Sequence, residues 1–247
     1  AVLRVYASLD PDEKRDALNT LASRAAYAQA LVAAIKTGKV ASADLSADIV
    51  RQLQNLGDDA IAREIGAVWG IVRDSPEERK KLIAHYRRII ENRRAPEPDP
   101  SLGRSIFVKT CGKCHKMFGA GGTVGPELTG SNRKNLDYLL SNVLDPSAVM
   151  AKDYQPVIVL TTAGRTITGI IKAEDDNAVT LVTADETVIV PRGEIEELKR
   201  TDKSMMPDDL WNQLQPHDVR SLVAYLRRDS QTTMLATADN VKTFFNG

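Results

Sequence analysis

Cys111-Gly112-Lys113-Cys114-His115 is the segment of this 247-residue sequence richest in reactive side chains. Two thiols separated by two residues and followed at once by an imidazole have the spacing at which a haem is attached covalently. The thiols suit the two thioether positions on one edge of the ring, and the adjacent His115 is placed to take the iron as proximal ligand. Two other chemistries use a Cys-x-x-Cys pair. A zinc knuckle needs two further ligands, and the 2 cysteines and 3 histidines leave only His85 and His217, each alone in the sequence. A thioredoxin-like redox pair needs a βαβ context, whereas this pair ends a helical stretch and precedes a Gly-rich one, Ala120 to Gly125.

The elements that must position this motif follow from periodicity and punctuation. Up to Ala95 the pattern is helical. Asp10-Pro11-Asp12-Glu13 and Ser75-Pro76-Glu77-Glu78 each combine a cap, a proline and an acid at the places where helices begin. Further helices are expected at Ser23–Lys36, from Ser46 to near Gly57, and from Asp58 to Val72. Leu82, Ile83, Tyr86, Ile89 and Ile90 form one apolar stripe. Five short amphipathic helices in series suggest a stacked, solenoid-like domain over 1–95. Pro96-Glu97-Pro98-Asp99-Pro100 cannot continue a helix and is expected to be a linker, 96–100. Ser101 is expected to cap a helix leading into the Cys motif, and Asn135–Val143 another. From Gln155 the period changes to two. Gln155–Thr162, Thr166–Lys172, Ala178–Thr183 and Thr187–Val190 are rich in Val, Ile and Thr, with turn signals between them. An antiparallel β unit is expected over about 154–200, with Ile195–Lys199 as an optional fifth strand. Helix returns at Asp208–Leu214 and after Pro216. Residues 230–247 look like a tail leading to a further domain.

Composition removes several function classes. Lys plus Arg, 33, balances Asp plus Glu, 33, so no nucleic-acid footprint is present. The longest strongly apolar stretch, Ala30–Ile35, is far shorter than the ~20 residues that span a bilayer. No Lys/Arg-led apolar segment opens the chain, which begins on Ala1, so it is read as a mature chain or an excised fragment.

Gly103-x-x-x-Phe107-x-x-x-Cys111-x-x-Cys114-His115 resembles the first helix and haem motif of class I cytochromes c, where a small residue near Gly103 lets the first helix cross the last closely. Val223-Ala224-Tyr225-Leu226 resembles that last helix. Val124-Gly125-Pro126-Glu127-Leu128 resembles the loop whose proline packs on the ligand imidazole and whose carbonyl accepts its N–H. Ser204-Met205-Met206-Pro207 resembles the loop that delivers a distal Met sulfur. The chain as a whole is similar to the planctomycete-type multidomain Cys-x-x-Cys-His haem-binding proteins. In these a class I cytochrome c is interrupted by a β-rich insert and often preceded by HEAT-like helices. Tyr154, Thr161, Gly164-Arg165, Thr168-Gly169, Pro191 and Ser204-x-Met206-Pro207 match that insert. Phe244-Phe245-Asn246-Gly247 also resembles the opening of a sugar-active β-sandwich found beside such modules.

The resemblance implies a mainly α fold: HEAT-like helices over 1–95, then a cytochrome c domain over 101–229 with a small β-barrel or meander as insert. It implies one covalent haem c, with His115 and Met206 as axial ligands and Gly125 and Pro126 behind the imidazole. Met205 is the rival for Met206, although Pro207 restricts Met206 to extended backbone that suits an inward-projecting side chain. Tyr154 is a cofactor candidate from the insert pattern. Arg133 is either a haem-propionate partner or a solvated loop charge. Trp211 either walls the haem or fills the core. Met/His ligation implies an electron acceptor of raised potential. The expected function is electron transfer, with a redox protein or a fused dehydrogenase domain as partner. Haem c is attached outside the cytoplasm, so a periplasmic or envelope location is expected. No constellation for substrate chemistry is visible. The alternative is a haem peroxidase or a gas or redox sensor with a labile distal ligand.

Overall fold

The computed structural model describes residues 2–236; Phe244-Phe245-Asn246-Gly247 lies outside them. The helices are α1 (Val2–Val5), α2 (Pro11–Leu21), α3 (Ala25–Lys36), α4 (Ala47–Gln54), α5 (Asp59–Trp69), α6 (Glu77–Ile90), α7 (Pro100–Thr110), α8 (Leu136–Leu144) and α9 (Pro216–Leu226). The strands are β1 (Gly70–Val72), β2 (Lys116–Met117), β3 (Ala120–Gly121), β4 (Val149–Ala151), β5 (Val157–Thr161), β6 (Thr166–Glu174), β7 (Ala178–Val182), β8 (Thr187–Pro191) and β9 (Ile195–Arg200). Among the described residues no helix is long and apolar enough to cross a membrane.

The chain divides into two units. The first contains the residues up to Asp74, together with Ser147–Pro156 and Arg200–Ser204. Its helices start where the sequence supplies caps. The Asp10 carboxylate accepts from the amides of Asp12 and Glu13 while Glu13 reaches back to the Asp10 amide, a complete capping box. Asp58 accepts from Ala60 and Ile61 at the head of α5. The apolar faces of α2 to α5 meet in one core around Leu18, Leu31, Val32, Ile49, Leu53, Ile61 and Ile65. Trp69 closes it, its indole N–H donating to the Leu45 carbonyl at 2.9 Å. β1 then pairs antiparallel with β4, Ile71 opposite Met150, and Ala148 and Val149 join the same core.

The second unit contains Ser75–Pro146, Val157–Lys199 and the chain from Met205 onward. The boundary therefore falls at Asp74 instead of at the 96–100 linker, and α6 leaves the expected 1–95 domain. The reason lies in its stripe. Leu82, Ile83, Tyr86, Ile89 and Ile90 pack in the same cluster as Leu139 and Leu140 of α8 and Val219, Leu222 and Leu226 of α9. The Pro-rich segment is held too: the Pro96 carbonyl accepts from Arg220, and the Asp99 amide donates to Ser221 Oγ at 3.1 Å. Asp99 and not Ser101 caps α7, accepting from the Ser101 amide at 2.8 Å.

α7 crosses α9 at Gly103. A Cβ there would lie 2.0 Å from the Ser221 carbonyl oxygen and 2.8 Å from Tyr225 Cβ, so only glycine permits this approach. Gly103→Val is expected to lower stability by about 3 kcal/mol through overpacking, read as a lower urea midpoint. An unchanged midpoint would show that the helices part freely.

The five long strands form one sheet in the order β8-β7-β6-β5-β9, with neighbours antiparallel in the registers resolved for β5 to β8. Val157, Val159, Ile167, Val179, Leu181 and Val190 line its inner face and make a separate core. This overturns the expected fold class. Helices of all kinds hold 44% of the described residues and strands 17%. The protein is an α+β chain with a five-stranded antiparallel sheet and small two-stranded sheets, not a mainly α class I cytochrome c fold with a minor insert. β9, Ile-Glu-Glu-Leu-Lys-Arg, shows no apolar alternation, because it carries four charges and exposes most of its residues.

Candidate functional site

α7 ends at Thr110, and the chain turns through Cys111 to Cys114 before His115. The turn is locked by local backbone bonds: the amides of Cys114 and His115 both donate to the Cys111 carbonyl, at 3.1 and 2.9 Å. Both thiols and the imidazole are therefore carried by a single turn. The cysteines are free and half-buried. Burial pushes the Cys111 thiol up, against a smaller opposing effect of the Thr110 hydroxyl 3.3 Å from its sulfur.

His115 leads into a hairpin of β2 and β3, Met117 opposite Ala120. Phe118 and Gly119 make the two-residue turn with φ of 50° and 81°, the primed geometry that suits strand twist. Met117 is fully buried in the core and is not near the solvent side of the turn. The Gly-rich chain then wraps back over the Cys turn. The Gly122 amide donates to the Gly112 carbonyl at 2.8 Å and the Gly125 amide to the Cys114 carbonyl at 2.9 Å.

The wrap brings Gly125 and Pro126 onto the imidazole. His115 Nδ1 lies 2.8 Å from the Pro126 carbonyl oxygen. A carbonyl only accepts, so Nδ1 carries the proton and Nε2 keeps its lone pair. A Cβ on Gly125 would sit 2.5 to 3.0 Å from three atoms of the ring, so any side chain there would displace it. Burial pushes the imidazole below its ordinary pKa, with the Pro126 hydrogen bond acting in the opposite sense. The ring is thus neutral at pH 7 and oriented, with the lone pair on Nε2. Gly125 and Pro126 both lie against the His115 ring.

Arg133 does not. It is 8% exposed, and its guanidinium is spent on backbone. Nε donates to the Leu128 carbonyl, Nη2 to Thr129 at 2.7 Å, and Nη1 to Leu226 and to Arg228 at 3.0 Å. The cation also stands 5.1 Å from the centre of the Phe118 ring. It ties the end of the Gly-Pro loop to the last carbonyls of α9, a helix terminus where a cation is favourable. The expected propionate partner and the solvated charge are both replaced by this clamp.

Trp211 is buried and packs edge-on against Tyr86, ring centres 5.1 Å apart; of its two expected roles the structure shows the core-filling one. Tyr154 belongs to the first unit, in the 3-10 turn Lys152–Tyr154. Its phenol is pushed up by burial and by Asp153.

Met205 and Met206 are both half-buried in an irregular stretch. The stretch is anchored on its far side by a residue that sequence reasoning missed. Arg79 of α6 pairs with the Asp208 carboxylate and donates to the carbonyls of Asp208 and Leu144, at 3.3 and 3.2 Å. On the near side the Ser204 amide donates to Ser147 Oγ at 3.0 Å. His217 is half-buried, its Nδ1 without a partner among the described residues, and Gln215 and Asp218 form the capping box of α9. Lys113, between the cysteines, forms an ion pair with Asp185 in the β7–β8 turn.

The residues present fit a covalently attached haem. The two thiols are unbonded, the imidazole is held by a carbonyl at Nδ1, and the absence of a side chain at Gly125 leaves room for the ring. A zinc knuckle is less well served: among the described residues no three His, Cys, Asp or Glu side chains are placed together to hold a metal ion. Compared with known proteins, the chain matches no family model and no curated sequence.

Proposed function

We propose that the second unit is a c-type cytochrome module for electron transfer, with one haem joined to Cys111 and Cys114 and ligated by His115 and Met206. The observation that carries this reading is the His115–Pro126 bond. It holds at 2.8 Å a ring that directly follows a Cys-x-x-Cys turn and leaves Nε2 as the ligating atom. Such a partner on the far nitrogen fixes ring orientation and raises ligand basicity. When bound, the haem supplies a one-electron redox centre whose potential Met ligation raises.

This chain's own residues do the rest. The Cys turn sets the attachment points. Pro126 orients the imidazole, and Gly125 makes room for it. Arg133 fixes the loop that carries Pro126 to the end of α9. Arg79 anchors the stretch that contains Met206. The resemblance to planctomycete-type Cys-x-x-Cys-His haem-binding proteins supports the same reading. It extends the reading to an exported, periplasmic or envelope protein that serves a redox partner or a fused dehydrogenase domain.

The direct test is maturation in a host able to attach haem c. The intact mass is expected to rise by one haem that survives acid extraction, and Cys111→Ala/Cys114→Ala is expected to release it. A bare polypeptide mass with two free thiols, from the same host that loads a control cytochrome, would overturn the proposal.

A further inference from the structure

A cleft of about 360 Å³ opens in the second unit, away from the Cys turn. It lies between α6, the Pro-rich segment and α9. Ile90, Pro98, Val223 and Ala224 make its apolar wall, and Arg220 and Arg227 supply charge. Lys134 stands at its edge and is already neutralised by Asp229 at 2.6 Å.

Arg220 is the unusual member. It is 8% exposed, yet no carboxylate among the described residues pairs with it. Nη1 donates to the Pro96 carbonyl, while the buried Nε has no acceptor among the described residues. Burying a cation without a counter-charge is costly, and so is a buried donor without a partner. A protein keeps such a group where something else supplies the anion, and a cleft of this size lies within the range of small-molecule sites.

We propose that this cleft binds a small organic carboxylate. Its head group pairs with Arg220 and Arg227, and its apolar body lies against Ile90, Pro98, Val223 and Ala224. The guanidinium fork matches a carboxylate in two parallel hydrogen bonds. The apolar wall favours a monoanion with a hydrocarbon body over a bare inorganic anion. The site is independent of the haem reading, since none of these residues touches the Cys turn.

Calorimetric titration of the full chain tests it, with hexanoate, hexanamide and inorganic phosphate as probes. Hexanoate is expected to bind at least about tenfold more tightly than either of the others, the worth of one charge-assisted hydrogen bond. Arg220→Met and Arg227→Gln should each weaken hexanoate by about the same factor. Because Arg220 also holds Pro96, Ala224→Phe gives a second measure: it fills the cleft with both arginines intact and should abolish binding. Hexanamide binding as well as hexanoate would reduce the site to an apolar dimple and overturn the proposal. Phosphate binding as well would overturn the ligand class, and hexanoate binding unchanged in Ala224→Phe would overturn the location.

Discussion

Arg133→Met will lose about 3–5 kcal/mol of folding stability, because it removes several charge-assisted hydrogen bonds at once and leaves buried carbonyls unpartnered. The Leu226 and Thr129 carbonyls would lose the donor they share with Leu128 and Arg228. Arg133→Lys should recover only part of the loss. A single ammonium on a flexible stem cannot serve four carbonyls in the directions that the planar fork serves. Urea unfolding followed by circular dichroism measures both variants. A loss below about 1 kcal/mol in Arg133→Met, the range of an exposed charge, would remove the clamp and return Arg133 to the propionates.

The second large effect belongs to the proposed distal ligand. In the haem-loaded protein, Met206→Ala is expected to abolish the weak sulfur-to-iron band at the red end of the spectrum. It should strengthen imidazole and carbon monoxide binding by roughly tenfold or more, since one competing ligand bond is gone. The reduction potential should fall, because thioether sulfur favours the ferrous state. Met205→Ala should change none of these. The reverse pattern would move the ligand to Met205. Spectra indifferent to both substitutions would favour the open-site sensor over the electron carrier.

The local arrangement of the candidate site was legible where the signal lies in adjacent residues. Cys111, Cys114 and His115 are adjacent in sequence, and the partners of the imidazole, Gly125 and Pro126, follow within a dozen residues. Helix starts such as Asp10 and Asp58 were legible for the same reason, since a cap and its amides lie within three positions. Gly103 was readable only through the resemblance to class I cytochromes c, which implied a close crossing there; the approach is to the Ser221 carbonyl.

What was not legible depends on partners far away in the chain. A lone arginine at 133 gives no hint that the carbonyls of Leu226 and Arg228 will meet it. The stripe of α6 looks identical whether it faces earlier helices or later ones. β1 and β4 are three residues each, too short for a period to show, and their pairing spans nearly eighty positions. The Phe118-Gly119 turn was also missed: Gly119 marks a tight turn between short strands, but a phenylalanine at positive φ is uncommon and gives no warning of it.

The first unit is assembled from three separated stretches of chain, ending with Arg200–Ser204. Its helices are all synthesised before Asp74, yet β1 has no neighbour, and Trp69 and the core around it lack Ala148 and Val149, until β4 emerges. On a ribosome adding roughly 5–20 residues per second, the amino-terminal helices wait several seconds for their last strand. The first unit therefore cannot be completed before most of the second unit has been synthesised. A gene cut at the Pro-rich segment would yield a fragment that is helical but unfinished, with an exposed strand edge open to wrong pairing.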